Sequence, residues 1–325
     1  MIRTLTALAR RYWPLPFIAG MALLTAAPFL GAHSMLADFF SQFLIQAAAG
    51  TLGLLLLFLV TRHWRSAGLA GVALALQLGV LQPSLLPASA TTDVAAPVTV
   101  LFNNVYWHNR RLPEMADEIR RLDADVVVLA ELDQRTDRLL DDLAEAYPFR
   151  VDCLTHWACD SAILSRLPIL ENLSDWRGGS QRIAMSAARL ATPFGPLVVA
   201  GVHLDQPLPP RRLWRQERQV EGLVEMLAPI EDPLLLVGDF NAAPWARLMQ
   251  NLARSSGLEI AWGIEGTWPA ILPWPMRIAI DHALTGQGLV LVDREVIRLP
   301  GTDHKALWLR VGPEAPHFFA LDPAS

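Results

Sequence analysis

The charged residues of this 325-residue chain are concentrated after residue 92. Only five of its 27 lysines and arginines, and only one of its 32 acidic residues, Asp38, precede Asp93. The remainder carries 22 basic and 31 acidic residues, a net charge of −9. Because the two parts suit different surroundings, we expect an apolar N-terminal region followed by one water-exposed domain of roughly 230 residues.

Three stretches of the N-terminal region, residues 12–37, 39–61 and 66–92, lack Asp, Glu, Lys and Arg. Each exceeds the ~20 residues that a helix needs to span hydrocarbon. They predict a transmembrane region of about three helices over residues 1–82. Prolines restrict helix in the first stretch, so two spans with a re-entrant first segment remain an alternative, as does a buried helical bundle. A signal peptide has one apolar region and does not account for three.

The arginines of this region indicate its orientation. Arg3, Arg10 and Arg11 precede the first stretch, and Arg62 and Arg65 separate the second from the third. The positive-inside rule places both groups in the cytoplasm and the chain after the third stretch outside it. In a bacterium this predicts a multi-pass inner-membrane protein whose catalytic domain is periplasmic or otherwise extracytoplasmic.

Residues 83–97 are rich in Pro, Ala, Ser and Thr and are predicted to link the membrane region to a domain over residues 98–325. The chain has two cysteines, Cys153 and Cys159. In an oxidising compartment they could form a disulfide across a short loop, or they could be two unlinked buried thiols. Their spacing does not fit a zinc site.

After the linker, apolar runs alternate with amphipathic stretches. The pattern predicts helices over residues 113–122, 136–146, 211–227 and 245–255. It predicts strands over residues 98–105, 125–130, 161–165, 183–190, 197–203, 234–238, 278–284, 290–299 and 305–311. Strands outnumber helices and connections are short, which favours two packed sheets with helices on their outer faces. Polar groups at strand ends would then share one active face.

Six motifs place an oxygen or imidazole side chain where an apolar run ends. In chain order they are Phe102-Asn103-Asn104-Val105, Val128-Leu129-Ala130-Glu131, Gly201-Val202-His203-Leu204, Gly238-Asp239-Phe240-Asn241, Ile280-Asp281-His282 and Thr302-Asp303-His304. Taken singly, each is also consistent with a turn, a solvated strand end or a core histidine. Taken together, they favour one site that holds a hard cation and a phosphate.

The chemistry of these residue types supports that interpretation. Asp239 and Asn241 are two residues apart, so an extended segment directs both toward the same phosphate or water. Glu131 is a lone strand-end carboxylate of the kind that binds Mg²⁺ or Ca²⁺. Asp281 could orient His304 as carboxylates orient catalytic imidazoles.

Asp303 could reach the metal. His282 follows Asp281 and should point to the opposite side, so we predict a structural role for it. Oxygen ligands without a Cys/His cluster favour Mg²⁺ or Mn²⁺ over structural zinc.

The ordered set resembles the endonuclease/exonuclease/phosphatase superfamily, the DNase-I-like fold, over about residues 98–311. The Gly-Asp-Phe-Asn and Thr-Asp-His motifs are its most specific parts. The resemblance implies an α/β fold, a four-layer sandwich of two packed β-sheets flanked by helices, here preceded by the transmembrane region. It also implies divalent-metal-dependent hydrolysis of phosphoesters. The apolar helices, together with Thr267-Trp268-Pro269, resemble a bacterial membrane-anchored branch.

The resemblance also implies site residues. The metal ligands are Glu131, joined by Asn104 and Asp303. The catalytic residues are His203, Asp239, Asn241, Asp281 and His304. Asp239 and Asn241 hold the scissile phosphate and the nucleophilic water, and His203 contacts the phosphate or acts as general acid. His304 acts as base or charge stabiliser. One departure is Tyr106, where many nucleases of the family carry an acidic residue.

The substrate is less constrained than the chemistry. The domain is net acidic, whereas nucleic-acid binding draws on phosphate neutralisation by cations. Trp268 and Trp274 lie in a Pro-rich segment that either packs as a rigid loop or forms an apolar rim that binds a lipid headgroup near the bilayer interface. We therefore expect a membrane-tethered phosphodiesterase that acts on a lipid headgroup or nucleic acid. The alternatives are a nuclease acting on DNA or RNA and a catalytically silent scaffold, which the complete motif set disfavours.

Overall fold

The structure is a computed structural model that describes residues 12–85, 94, 96–155, 159–208 and 212–314. Its described N-terminal part consists of four helices, α1 (Pro14–Leu30), α2 (Met35–Ser41), α3 (Leu44–Val60) and α4 (Trp64–Leu85). Helix α4 includes the first three residues of the predicted linker, residues 83–85. Most of that linker, residues 86–93 and 95, lies outside the described residues.

Among the described helices, α4 is long and apolar enough to cross a membrane. Helices α1 and α2 add a second candidate if the pair, bent by 111°, forms one broken span. Helix α3 is apolar, but its 17 residues extend only about 26 Å at 1.5 Å per residue, less than the ~30 Å of hydrocarbon. By length and composition the described helices therefore offer one or two spans, fewer than the three predicted.

The surfaces of these helices are apolar and their shared interior is partly polar. Helix α3 packs on α4, and α1 contacts both. Leu23, Leu56 and Val72 are exposed, whereas Thr25 and Gln77 are buried and joined by a 2.9 Å hydrogen bond from Gln77 Nε2 to Thr25 Oγ1. Water-soluble bundles show the opposite distribution. Apolar exteriors with hydrogen bonds between helices are typical of helices in lipid.

The C-terminal part forms two packed mixed sheets. The first has the order β12-β13-β1-β2-β4-β3, and the second has the order β10-β11-β9-β8-β7-β5 with β6 paired to β7. The strands are β1 (Val98–Asn104), β2 (Val126–Ala130), β3 (Phe149–Asp152), β4 (Ala162–Ser165), β5 (Ile169–Asn172), β6 (Asp175–Arg177), β7 (Ile183–Thr192), β8 (Gly195–His203), β9 (Leu234–Asp239), β10 (Glu259–Ile260), β11 (Asp281–Gly286), β12 (Leu289–Ile297) and β13 (Ala306–Pro313).

Helices cover the outer faces of both sheets. They are α5 (Leu112–Leu122), α6 (Arg138–Leu143), α7 (Leu213–Leu227) and α8 (Arg247–Ser256). Side chains of α5 and α6 pack on the first sheet, and side chains of α7 and α8 pack on the second. A third cluster, including Val128 and Val199, fills the space between the sheets. Two sheets flanked by helices confirm the predicted α/β sandwich.

Sequence patterns located the central strands and the edge strand β12, but not the shortest strands. Strands β3, β5, β6 and β10 were not predicted, because they are two to four residues long and mostly exposed, so no apolar run marks them. The helix predicted over residues 136–146 is restricted to Arg138–Leu143. Residues 133–136 form a turn instead, in which Thr136 Oγ1 accepts a hydrogen bond from the backbone N–H of Asp133 at 2.7 Å.

Helix α2 attaches the N-terminal region to this sandwich. The buried carboxylate of Asp38 accepts hydrogen bonds from the backbone N–H groups of Arg247, at 2.5 Å, and Leu248, at 3.2 Å. Trp245 Nε1 donates to the carbonyl of Ser41 at 2.7 Å. The first N–H groups of a helix have no partner within it, and a carboxylate stabilises that end. The single acidic residue of the apolar region thus caps helix α8 of the domain.

We expect Asp38→Ala to destabilise the full-length protein by about 1–3 kcal/mol, because two buried N–H groups lose their acceptor. Thermal unfolding in detergent measures the change. Asp38→Asn retains an acceptor oxygen and should lose less, and Asp117→Ala, on the exposed side of α5, is the control. An unchanged Tm for Asp38→Ala would show that the cap contributes nothing.

Candidate active site

The sheet topology brings the ends of five strands to one edge. Strands β1 and β2 are parallel, as are β8 and β9, so their C-terminal ends lie together. Strand β11 runs antiparallel to β9 and begins at the same edge, where Asp281 pairs with Asp239. His203 pairs with Asp239 from the other side. Residues far apart in sequence therefore converge because strand direction places them there.

Asp239 lies at the centre of this group and is fully buried. Asn104 Nδ2 donates to its Oδ2 at 3.1 Å, and the backbone N–H of Asn241 donates to its Oδ1 at 2.9 Å. Burial and the neighbouring charge of Asp281 raise the pKa of Asp239. The Asn241 amide in turn donates to the carbonyl of Leu204. The carboxylate is thus held in one orientation, and its raised pKa makes it a stronger base.

Two imidazole–carboxylate pairs flank Asp239. His304 Nδ1 lies 2.9 Å from Asp281 Oδ2, and His203 Nδ1 lies 2.6 Å from Asp160 Oδ2. The Nε2 atoms of His203 and His304 lie 3.7 and 3.8 Å from Asp239 Oδ2. Each ring is oriented through Nδ1, so Nε2 of both faces the same central carboxylate.

Both imidazoles have raised pKa values. Burial by itself lowers the pKa of His203, but the charges of Asp160 and Asp239 outweigh it and raise the pKa to about 10. Burial opposes the same effect at His304, where Asp281 and Asp239 raise the pKa to about 9. Both rings are therefore protonated near neutral pH and donate from both nitrogens, which suits an anionic phosphoryl group.

Asp160 was missed by the sequence analysis. It follows no apolar run; instead it comes directly after the Cys153–Cys159 disulfide, which is formed in the structure. Leu132, beside Glu131, donates its backbone N–H to the carbonyl of Asp160 at 2.9 Å. The sequence did contain one signal, an acidic residue directly after a pair of closely spaced cysteines. Nothing in that spacing indicated that the residue would contact His203.

We expect Asp160→Asn to lower kcat by roughly 10- to 100-fold, because a hydrogen bond to a charged ring contributes about 1.5–3 kcal/mol. An NMR titration of His203 should show a lowered pKa in the same variant. Asp123→Asn is the matched control, since Asp123 precedes β2 at the edge remote from the site. Unchanged turnover and an unchanged His203 pKa would remove Asp160 from the site.

Glu131 and Asp303 supply carboxylates whose surroundings fit a cation. Glu131 has a left-handed backbone with φ of 58°, a conformation that non-glycine residues retain mainly at functional sites. Burial raises its pKa, against the nearby charges of His203 and His304. The Oδ1 atom of Asp303 is buried without a hydrogen-bond partner among the described residues. A divalent cation would satisfy this buried carboxylate oxygen, so these residues fit a divalent metal.

A second donor set lies beside the first. Ligand atoms of Asp239, Asp281 and His304 lie within 4.8 Å of one another, close enough to hold a metal ion. Asn104, a predicted ligand, has its amide engaged by Asp239 and accepts from the backbone N–H of Tyr106 at 3.0 Å. Its observed contacts orient Asp239, so its role as a ligand stays a prediction.

The two predicted substrate-binding tryptophans differ in position. Trp268 Nε1 donates to Asp303 Oδ2 at 3.2 Å, and Trp268 lines a cavity that His304 also lines. Trp274 begins an exposed 3-10 helix (Trp274–Met276) and does not line that cavity. The structure therefore brings only Trp268 next to the site residues, and a substrate contact by Trp274 stays a prediction.

Two neighbouring features are structural. His282 points away from the site, donates a 2.8 Å hydrogen bond from Nε2 to the carbonyl of Ala242, and has a pKa lowered by burial to about 4, which agrees with its predicted structural role. Gly238 is needed because a Cβ there would lie 2.2 Å from the carbonyl oxygen of Val202. Any side chain at Gly238 would separate β8 from β9.

Comparisons with known proteins agree with this geometry. A sequence model of the Endonuclease/Exonuclease/phosphatase family matches residues 104–304. No curated protein sequence matches the chain.

Among solved structures, an endonuclease/exonuclease/phosphatase from Beutenbergia cavernae is similar, with 20% identity, 68% of this chain and 72% of that chain covered, and a TM-score of 0.55. The human Nocturnin catalytic domain with bound sulfate has 17% identity, coverage of 68% and 96%, and a TM-score of 0.54. D. rerio TDP2 complexed with a single-strand DNA product has 15% identity, coverage of 67% and 100%, and a TM-score of 0.53. At these identities the likeness shows a shared fold.

Proposed function

This chain belongs to the endonuclease/exonuclease/phosphatase family, and from that premise we propose that it is a divalent-metal-dependent phosphodiesterase tethered to the membrane. The observation that carries the proposal is the buried carboxylate of Asp239, whose Oδ2 lies 3.7 and 3.8 Å from the Nε2 atoms of His203 and His304. That arrangement supplies a base and two cationic donors around one phosphoryl position. A silent scaffold would have no need to keep buried charges so close, because each costs desolvation.

Hydrolysis of a phosphodiester forms a bond from water oxygen to phosphorus and breaks the bond to the leaving alcohol. Asp239, with its raised pKa, accepts the proton of the water, and Asn241 holds the phosphate beside it. His203 donates a proton to the leaving oxygen. His304 is protonated at neutral pH, which favours stabilising the developing negative charge over acting as base.

Glu131 and Asp303 are the residues proposed to hold Mg²⁺ or Mn²⁺, with Asn104 completing the set. When bound, the metal supplies Lewis-acid stabilisation of the phosphoryl and leaving oxygens. The Asp303 Oδ1 atom has no hydrogen-bond partner among the described residues, which supports this assignment directly. The alternative set of Asp239, Asp281 and His304 is supported by the short distances between its ligand atoms. In that set His304 Nδ1 is already paired with Asp281.

Full-length protein in detergent tests the activity. It should hydrolyse bis(p-nitrophenyl) phosphate with Mg²⁺ or Mn²⁺ and lose this activity in EDTA. The same preparation is then offered a panel of phospholipids, phosphomonoesters, DNA and RNA. Faster hydrolysis of monoesters than diesters would contradict the preference for diesters, and no turnover of any phosphoester would contradict the proposal as a whole.

A nuclease is the second candidate, because one similar structure contains a DNA product. The charges of α7 argue against it. Arg218 pairs with Glu221 at 2.7 Å, and Arg215 lies 3.7 Å from Asp205, so acidic groups offset part of the positive charge of this helix. DNA cleavage that is faster than lipid hydrolysis and falls steeply with salt would favour the nuclease.

We also propose that the apolar helices lie in a bacterial inner membrane with the domain outside the cytoplasm. The apolar exterior of α1, α3 and α4 supports insertion. The Asp38 cap supports the sidedness, since it holds α2 and the domain on one side of the membrane, so that α3 and α4 would cross into the cytoplasm and back between them. Helix α3 is short for the hydrocarbon, and local thinning of the bilayer accommodates such a mismatch. The disulfide is consistent with an oxidising compartment.

Reporter fusions to the full chain test the sidedness. A reporter after Ser325 should be active outside the cytoplasm, and a reporter after Arg65 should be active inside, because the arginines at the α3–α4 turn are retained there. At each position, a second reporter that is active only in the other compartment controls for expression level. The reverse pattern would contradict the proposed location.

A further inference from the structure

Two cavities of similar size and opposite character lie beside the imidazole pair, one lined by His304 and the other by His203. One, of about 170 Å³, is lined by the polar residues His304, Asn241, Gln42 and Gln206 and otherwise by apolar side chains. We call it the apolar cavity; its apolar lining includes Phe39, Phe43, Leu208, Trp268, Ile278 and Ile280. Its described lining residues include neither Lys nor Arg.

The second cavity, of about 180 Å³, lies beside the other imidazole and is called the polar cavity. Its lining includes His203, Asp160, Arg182, Asp205 and Gln219. Asp239 Oδ2 lies within 4 Å of the Nε2 atoms of both histidines, one of which lines each cavity. A group held at Asp239 could therefore extend one substituent into each.

The N-terminal region supplies most of the aromatic wall of the apolar cavity, and Trp268 of the domain supplies the rest. Phe39 is in α2, and Phe43 immediately precedes α3, with ring centroids 5.9 Å apart in an edge-to-face arrangement. Their position is determined by the Asp38 cap and by the hydrogen bond from Trp245 to Ser41. The segment that joins the apolar helices α1 and α3 is thus held against the catalytic residues.

The chemistry of the two cavities selects a type of substrate. A phosphate with two polar substituents would leave the aromatic wall in contact with water or with a polar group, which is unfavourable. A nucleic acid would find no described cation on that wall. Hydrocarbon fits it, and 170 Å³ is below the ~300–1,000 Å³ of usual ligand pockets. The cavity therefore accommodates the part of a chain next to the phosphate, while the rest continues toward the membrane.

We propose that the substrate is an amphiphilic phosphodiester, a membrane lipid whose apolar substituent enters the apolar cavity and whose polar headgroup enters the polar cavity. Phe39 and Phe43 are then substrate-binding residues contributed by the membrane region. The inference rests on the proposed phosphodiesterase activity and names its substrate class.

Two esters with the same leaving group test this assignment, methyl and dodecyl p-nitrophenyl phosphate, hydrolysed by full-length protein in one detergent. The measured quantity is the ratio of kcat/KM for the dodecyl ester to that for the methyl ester. Phe39→Ala combined with Phe43→Ala should lower this ratio by roughly tenfold or more, since a few methylenes lose their contact. Phe43→Trp, which fills the cavity, should lower it as well.

Phe40→Ala is the matched control, because Phe40 lies in the same helix, is exposed and does not line the cavity. Its ratio should equal that of the wild type, which accounts for partition of the dodecyl ester into micelles. Thermal unfolding of each variant distinguishes loss of fold from loss of binding.

Photolabelling provides a readout that does not need turnover. A dodecyl phosphate with a diazirine near the phosphate should label the Phe39–Phe43 segment or Leu208, and excess dodecyl phosphate should suppress the label. Equal ester ratios in all variants, or labelling confined to the outward side chains of α1, α3 and α4, would overturn the assignment. Hydrolysis of no phosphoester would overturn the proposed function instead, and the labelling pattern alone would then decide what the cavity binds.

Discussion

Glu131→Gln is expected to reduce metal-dependent hydrolysis to background while the protein stays folded. The amide is isosteric but neutral, so it removes the charge that attracts a divalent cation. Because burial raises the pKa of Glu131, the folded protein disfavours its charged form, and the neutral amide should not lower the Tm. Mn²⁺ binding, followed by electron paramagnetic resonance of free Mn²⁺, should weaken in parallel.

Glu114→Gln is the control for this change, because Glu114 lies on the exposed side of α5 and pairs with Arg111. It should bind Mn²⁺ and turn over substrate as the wild type does. Normal Mn²⁺ affinity in Glu131→Gln would instead assign the metal site to Asp239, Asp281 and His304. Full activity of the EDTA-treated wild type would remove the metal from the reaction altogether.

Asp281→Asn should lower kcat by about 10²- to 10⁴-fold, the range for loss of a positioned proton-transfer or charge-stabilising group. Asp281 is the largest source of the raised His304 pKa, so the variant should lower that pKa. We expect an NMR titration of His304 to show its pKa well below about 9. The limb of the pH–rate profile that reports the titration of His304 should disappear.

The double variant Asp281→Asn with His304→Gln gives a sharper test. If Asp281 acts only through His304, the combined loss should be close to that of His304→Gln alone, because residues that act as a unit are not additive. Asp293→Asn, on β12, is the control. Additive losses, or an unchanged His304 pKa in Asp281→Asn, would show that the two residues act separately.

Several parts of the fold and of the candidate site could be predicted from short stretches of sequence. The unbroken apolar run of β2 ends at Glu131, and the run of β9 ends in Gly-Asp-Phe-Asn, so both strands and their polar ends were recognisable without a structure. The alternation of side chains in strands likewise separated Asp281 from His282. These patterns are local, because a strand needs only its own residues to show which side chains share a face.

Short helices and edge strands were harder to predict. The bend between α1 and α2 divides a stretch that has no charge before Asp38, so composition alone indicated one span. The structure ends α1 at Leu30 and uses Ser34 as the cap of α2, with the Ala37 backbone N–H donating to its hydroxyl. Edge strands such as β5 gain stability from pairing with a neighbour, which no property of their own few residues reveals.

The sequence by itself determined the division into an apolar N-terminal region and an acidic domain, the two-sheet sandwich and the six polar motifs at strand ends, because these depend on hydrophobic pattern over short distances. Only the tertiary structure decided which residues meet. Asp160 reaches His203 across 43 positions, and Asp38 caps a helix more than 200 positions away. Such contacts depend on how strands and helices pack, and a carboxylate has no local pattern that identifies its distant partner. The same packing places Phe39 and Phe43 beside His304, so the cavity that they line became visible only in the folded chain.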